Sequence, residues 1–236
     1  MLANLPMYDR PELRDAHEEF WTLIRDNLRT AGVHIPDEMS WDAGEIECWT
    51  DPFFYFSQTC GKPYREKLHE TVTLIGTPDY GLQGCPPGYY RSAYVVHKTD
   101  DRYNLDDHKK SKFAYNDENS QSGYHVTNDY FENKICSGSH INSAKMVANG
   151  DAEIAAIDAL SLKLIKEYDD FAGDIKVIAW TEPTPGLPYI AYKGADQNAF
   201  YSAISTAITA LPDETREKLH LNGIVFIPKE TYLAVS

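Results

Sequence analysis

Residues 141–165 read INSAKMVANGDAEIAAIDALSLKLI, and this stretch decides the fold class. Ile141 to Asn149 has the composition of a helix, and Gly150 is a natural stop because glycine accepts the left-handed conformation that closes helices. Ala152 to Ile157 is a short apolar run of strand length. Asp158 follows as a helix cap, and Leu160, Leu162, Leu164 and Ile165 give the next helix its apolar residues. A buried strand set between two helices is the repeating unit of an α/β protein.

The same alternation extends in both directions. Toward the N-terminus, Lys112 to Tyr115, Ser92 to Val96, Thr71 to Gly76 and Phe53 to Phe56 read as strands, and residues 2–8 as a short apolar run. Leu13, Ala16, Phe20, Leu23, Ile24 and Leu28 recur at helical spacing, with Pro11 before them and Gly32 after. Pro63 opens a short helix. Residues 121–132 are expected to be helical, starting from a cap at Ser120. Toward the C-terminus, Ile175 to Trp180 is a strand, 195–210 a helix and 224–227 a last strand. Two strand–helix clusters separated by turn-rich stretches predict two lobes, each a mostly parallel sheet flanked by helices. Their expected bounds are 1–92 with 182–236, and 93–181, with the long strands at 91–97 and 175–181 as crossings.

Composition narrows the function. The chain has 236 residues, enough for a sizeable core without a metal or disulfide staple. Its 22 basic and 36 acidic residues give a net charge of −14. That balance argues against nucleic-acid binding, which runs on a basic face, and against docking on anionic membranes. No apolar stretch approaches the 18 residues of a membrane span. Four separated cysteines and eight scattered histidines show no metal-ligand spacing, so no cofactor is expected. The first eight residues contain neither a basic nor a long apolar segment. The expectation is a cytoplasmic chain, or an exported one whose signal was trimmed.

Ligands of such sheets bind where strands end and helices begin. Four places qualify. Tyr115 to Gly123, YNDENSQSG, puts Ser120, Gln121 and Ser122 in a turn whose N–H groups and hydroxyls suit an oxyanion. Cys136 to His140, CSGSH, sets His140 in the first turn of a helix. Asp158 directly follows a buried strand. Tyr8, with Ser57, Gln58 and Thr59, follows strands of the other lobe. Each also has a plain structural reading: a cap for Ser120 and Asp158, a surface position for His140.

In order, Tyr8, Ser57-Gln58-Thr59-Cys60-Gly61, Gly88-Tyr89-Tyr90-Arg91-Ser92, Asn119 to Gly123, Gly138-Ser139-His140 and Val147 to Ala155 resemble the phosphonate/phosphate-type substrate-binding proteins of ABC transporters. The resemblance spans about residues 4 to 190. It implies a two-lobed periplasmic-binding fold of the second type that closes on a small ligand. It further implies an oxyanion turn at Ser120, Gln121 and Ser122, a ligand-facing His140, an acid for a ligand amine at Asp158, and a lining Tyr8, with Gln58 and Thr59 near it. Gln121 stands where phosphonate binders often carry Thr.

The function so implied is capture of a small anionic ligand, without catalysis and without a cofactor, by a monomer that serves an ABC permease in the periplasm. An enzyme of the cofactor-precursor type on the same fold and a cytoplasmic ligand sensor are the alternatives. Were the protein exported, Cys60 and Cys85 would be the candidate disulfide.

Overall fold

The computed structural model describes residues 1–41, 45–127 and 129–235. The chain divides into two units, Met1–Tyr89 with Pro185–Ser236, and Tyr90–Thr184. The passages therefore fall at 89/90 and 184/185, and the long strands expected to cross lie wholly inside the second unit.

The first unit begins with β1 (Leu2–Ala3), α1 (Arg14–Thr30), α2 (Glu45–Thr50), β2 (Phe54–Gln58), α3 (Gly61–Pro63) and β3 (Val72–Asp79), and β4 (Tyr89–Tyr90) lies at the passage to the second. The second unit holds β5 (Ser92–His97), β6 (Lys112–Tyr115), β7 (Asn133–Cys136), α4 (His140–Asn149), β8 (Ile154–Asp158), α5 (Ala159–Tyr168) and β9 (Ile175–Trp180). The chain then passes β10 (Thr184–Pro185) and completes the first unit with β11 (Tyr189–Tyr192), α6 (Gln197–Ala210), α7 (Asp213–Lys218), β12 (Gly223–Val225) and α8 (Lys229–Leu233).

In the first unit the strand order is β1-β2-β11-β3-β12. β1, β2 and β3 run one way; β11 and β12 run against them. α1 buries Ala16, Phe20, Ile24 and Leu28 on one face, as its spacing requires, after a 3-10 turn at Pro11–Leu13. Gly32 ends it at φ 78°, in the left-handed region where glycine carries no Cβ penalty. Phe56 in β2 is the centre of this core. Its ring stacks on Trp21, Tyr189 and Phe200 at 5.7–5.9 Å. Aromatic side chains of this size bury 150–250 Å² each and dominate such a core. β2 runs on through Ser57 and Gln58, residues expected to lie beyond its end. The extension exists because β11 pairs with it there, Tyr189 opposite Gln58 and Ile190 opposite Ser57.

In the second unit the order is β7-β6-β8-β5-β9. Four strands share one direction and β5 alone is reversed. β5 and β11 are the first strands of each unit that the chain lays down after a passage, and both enter antiparallel to their neighbours. All five residues of β8 are buried, because both faces of the sheet are covered. Ala155 and Ile157 pack with Ala144, Val147, Leu162 and Ile165 of α4 and α5. Ile154 and Ala156 pack on the other face with Phe113 and Phe131, whose rings stack at 4.3 Å. Gly150 closes α4 at φ 79°.

One expected element is absent. Residues 121–127 form turns and a 3-10 helix at His125–Thr127, not the start of a helix over 121–132; Asn128 lies outside the described residues. His125 N–H donates to the Ser120 carbonyl and Val126 N–H to that of Gln121. The local sequence explains it: Ser122, Gly123, Val126 and Thr127 are all poor helix formers, and serine hydroxyls compete for the backbone.

Cys60 and Cys85, the disulfide candidates of an exported chain, are both half-buried. Cys60 is fixed at the start of α3, and the Cys85 N–H is tied to Leu82 in its own turn. Among the described residues no helix is long and apolar enough to cross a membrane, and no His, Cys, Asp and Glu cluster could hold a metal ion.

Candidate functional site

The second unit brings two of the sequence candidates into direct contact. After β7 the chain is pinned to the end of β6, for Ser137 N–H donates to the Tyr115 carbonyl at 2.8 Å. Ser139 then caps α4 by accepting from Asn142 N–H, so His140 becomes its first residue. From there His140 Nε2 reaches Ser122 Oγ at 2.9 Å. Ser120 Oγ lies 3.4 Å from Ser122 Oγ and accepts from Gly123 N–H at 3.1 Å. Ser120, Gln121 and Ser122 are each less than a tenth exposed.

The positive helix end at this place belongs to α4. Sequence reading assigned it to a helix after Ser120 that does not form. Among the described residues the backbone N–H groups of Ser122, His140 and Ile141 donate to no protein acceptor. Donors of this kind at a helix start, with about half a positive charge from the dipole, are what an anion requires. His140 is neutral near pH 7. Burial lowers its pKa to about 4, with the backbone of Ala156 pulling weakly the other way.

Gly123 has a cause that sequence alone did not show. A Cβ there would fall on the Asn116 side-chain oxygen and lie 3.1 Å from His140 Cε1. The glycine makes room for Asn116, whose Oδ1 is buried and has no hydrogen-bond partner among the described residues. Asn116 was missed because a turn asparagine is ordinary in sequence.

Asp158 ends β8 and caps α5, accepting from Ser161 N–H at 2.8 Å, and it is 2% exposed. It stands opposite Ser92 in the sheet. Asp158 thus serves as a helix cap.

The candidates of the first unit form their own group. Gln58 Nε2 donates to Tyr80 Oη at 3.1 Å and to the Leu187 carbonyl at 3.0 Å. Tyr80 meets the Tyr8 ring edge to face at 5.5 Å. Tyr8 lies beyond β1, in a turn, with φ 67°. Thr59 is fully buried; its N–H donates to the Pro188 carbonyl and its hydroxyl to that of Cys60. Tyr80, which joins Tyr8 to Gln58, lies in a Pro- and Gly-rich stretch that reads only as a turn.

A family model described as "ABC transporter, phosphonate, periplasmic substrate-binding protein" matches residues 69–227. The chain belongs to this family. The matched span contains Ser120, Gln121, Ser122, His140 and Asp158, and leaves out Tyr8, Gln58 and Thr59. Solved structures agree on the fold. A binding-protein component of an ABC phosphonate transporter from Pseudomonas aeruginosa superposes with TM-score 0.73 at 16% identity, over 98% of this chain and 82% of that one. PhnD1 from Prochlorococcus marinus, in complex with methylphosphonate, gives 0.72 at 14% identity, over 98% and 94%. A Xanthomonas citri protein bound to ATP gives 0.68 at 12% identity, over 98% and 92%. Among curated proteins none matches the chain. The two-lobed periplasmic-binding fold of the second type and the phosphonate-type family thus stand together, and both support a solute-binding role.

Proposed function

We propose that this family member captures a small tetrahedral oxyanion, of the phosphate or phosphonate class, on the turn Ser120–Ser122 beside His140, and delivers it to an ABC permease without chemical change. The observation that carries the reading is the buried hydroxyl pair held against a neutral imidazole, beside backbone N–H groups that donate to no protein acceptor. A neutral histidine offers the ligand one N–H or one lone pair according to tautomer, and the Ser122 hydroxyl can turn to complement either. Anion selection then depends on hydrogen-bond donors held in place rather than on net charge, as a protein of charge −14 requires.

Calorimetry with phosphate, methylphosphonate and methanesulfonate tests it. Each charge-assisted hydrogen bond lost costs roughly 1.5–3 kcal/mol. Ser120→Ala combined with Ser122→Ala is expected to weaken binding of the preferred anion about 100-fold or more, with a lowered unfolding midpoint but a cooperative transition that shows the fold persists at the temperature of the assay. Equal affinity in both proteins would refute the site.

An enzyme reading has one observation in its favour: Ser122 Oγ and His140 Nε2 are spaced like a nucleophile and its base. Two others weigh against it. A base whose pKa is near 4 has little driving force to take a hydroxyl proton, and His140 Nδ1, though buried, has no carboxylate to orient it. Incubation with phosphate monoesters followed by phosphate assay separates the two; turnover that disappears with Ser122→Ala would favour the enzyme.

A further inference from the structure

Arg91 is set apart from most arginines of this acidic chain. Arg10, Arg14, Arg25, Arg29, Arg102 and Arg216 each pair with a carboxylate. Arg91, among the described residues, enters no ion pair and donates no side-chain hydrogen bond, and its Nε is buried. Its guanidinium lies over the Trp180 ring, 4.3 Å from the centroid. Trp180 is itself 41% exposed, an unusual degree for so large an apolar side chain. A guanidinium held over an indole ring makes no hydrogen bond to it, which leaves donors for a carboxylate or phosphoryl group.

The topology places this pair on the same end of the second sheet as the oxyanion turn. β6, β7, β8 and β9 all finish at that end, and the reversed β5 starts there. The turn of Ser120 and Ser122 follows β6, His140 follows β7, Asp158 ends β8, Arg91 precedes β5 and Trp180 ends β9. Ala93 pairs with Trp180, and the Arg91 carbonyl accepts from Ala159 N–H at the start of α5. Between β6 and β5 lies one strand, β8. The guanidinium, drawn over Trp180 at the end of β9, stands three strand spacings or about 14 Å from β6, a separation that the side chains of the turn together with a ligand carrying two separated anionic groups can bridge. Asp158, at the end of β8, accepts from Ser161 N–H as the cap of α5.

We propose that Arg91, stacked on Trp180, forms a second anionic subsite, which takes the carboxylate or second phosphoryl group of a ligand whose tetrahedral oxyanion sits at Ser120, Ser122 and His140. The inference rests on the oxyanion reading above and extends it, by naming the ligand class as doubly anionic.

Calorimetry on the intact chain with methylphosphonate, phosphonoacetate, 3-phosphonopropionate and 4-phosphonobutyrate decides it. The wild type is expected to bind one of the three phosphonocarboxylates at least tenfold more tightly than methylphosphonate. Arg91→Ala should remove that gain and leave methylphosphonate within twofold. Trp180→Phe should abolish the fluorescence change that the phosphonocarboxylate causes, while its unfolding midpoint shows that the fold persists. Equal weakening of all four ligands by Arg91→Ala, or no preference for a second anion in the wild type, overturns the subsite and leaves the oxyanion site standing. Failure of all four ligands to bind the wild type overturns both.

Discussion

Ser122 Oγ lies 2.9 Å from His140 Nε2, and this hydrogen bond joins the turn after β6 to the first residue of α4. It spans two loops that both begin where parallel strands end, so the sheet itself sets the distance. The protonation state under which the pair works is set by burial. Burial depresses the His140 pKa to about 4, and the same cause brings the buried His17 to about 4, even with Asp9 pulling it up.

Stability should therefore fall in acid. A histidine with a folded pKa near 4 and an unfolded one near 6.5 binds more protons when unfolded across that window. The contribution is complete above about pH 6.5, and it is lost as pH falls toward 4. For the more deeply buried His17 the full shift corresponds to about 3 kcal/mol. Urea midpoints at pH 7.5, 6, 5 and 4.5 should decline, and His17→Phe should flatten part of the slope. An unchanged slope in that variant would count against burial as the cause.

Gly123→Ala should destabilise the protein by about 1–3 kcal/mol, because the new methyl group would meet the Asn116 side chain. Asn116→Ala in the same background should recover most of the loss. Urea unfolding of the four proteins in the cycle gives the coupling. Additive losses would mean that the glycine serves something other than Asn116.

Asp158→Ala should cost about 1 kcal/mol through loss of the α5 cap, while Asp158→Asn should keep the cap and most of the stability. Binding data on Asp158→Asn separate the cap from a ligand role. If Asp158 also holds a ligand amine, that variant loses its preference for 2-aminoethylphosphonate over ethylphosphonate. A retained preference restricts Asp158 to capping.

The net charge of −14 should slow the arrival of anions. Screening shortens to about 8 Å at physiological salt and to about 3 Å at 1 M. Stopped-flow association of methylphosphonate should thus quicken between 20 and 500 mM salt. A rate that falls with salt would reveal a local positive field that outweighs the total.

Much of the architecture was readable from residue order. The spacing of Ala16, Phe20, Ile24 and Leu28 made α1, Gly150 stopped α4, and the run Ile154 to Ile157 made a strand buried on both faces. These are local signals, set by backbone sterics and by which side chains leave water. The charge balance and the hydroxyl-rich turn at 120–122 were equally visible, and they were enough to point at an anion.

What the tertiary structure decided were the relations across the sheet. Ser120 looked like a helix cap, yet the helix dipole beside it comes from α4, which the β6–β7 pairing carries there. Gly123 answers to Asn116, seven residues earlier, and Arg91 answers to Trp180 through the β5–β9 pairing. β2 gained Ser57 and Gln58 only because β11 returns beside them. Sequence determines such contacts, but not through any local pattern. Each depends on which strands become neighbours, and that choice follows from the summed burial of both sheet faces rather than from the residues that finally touch.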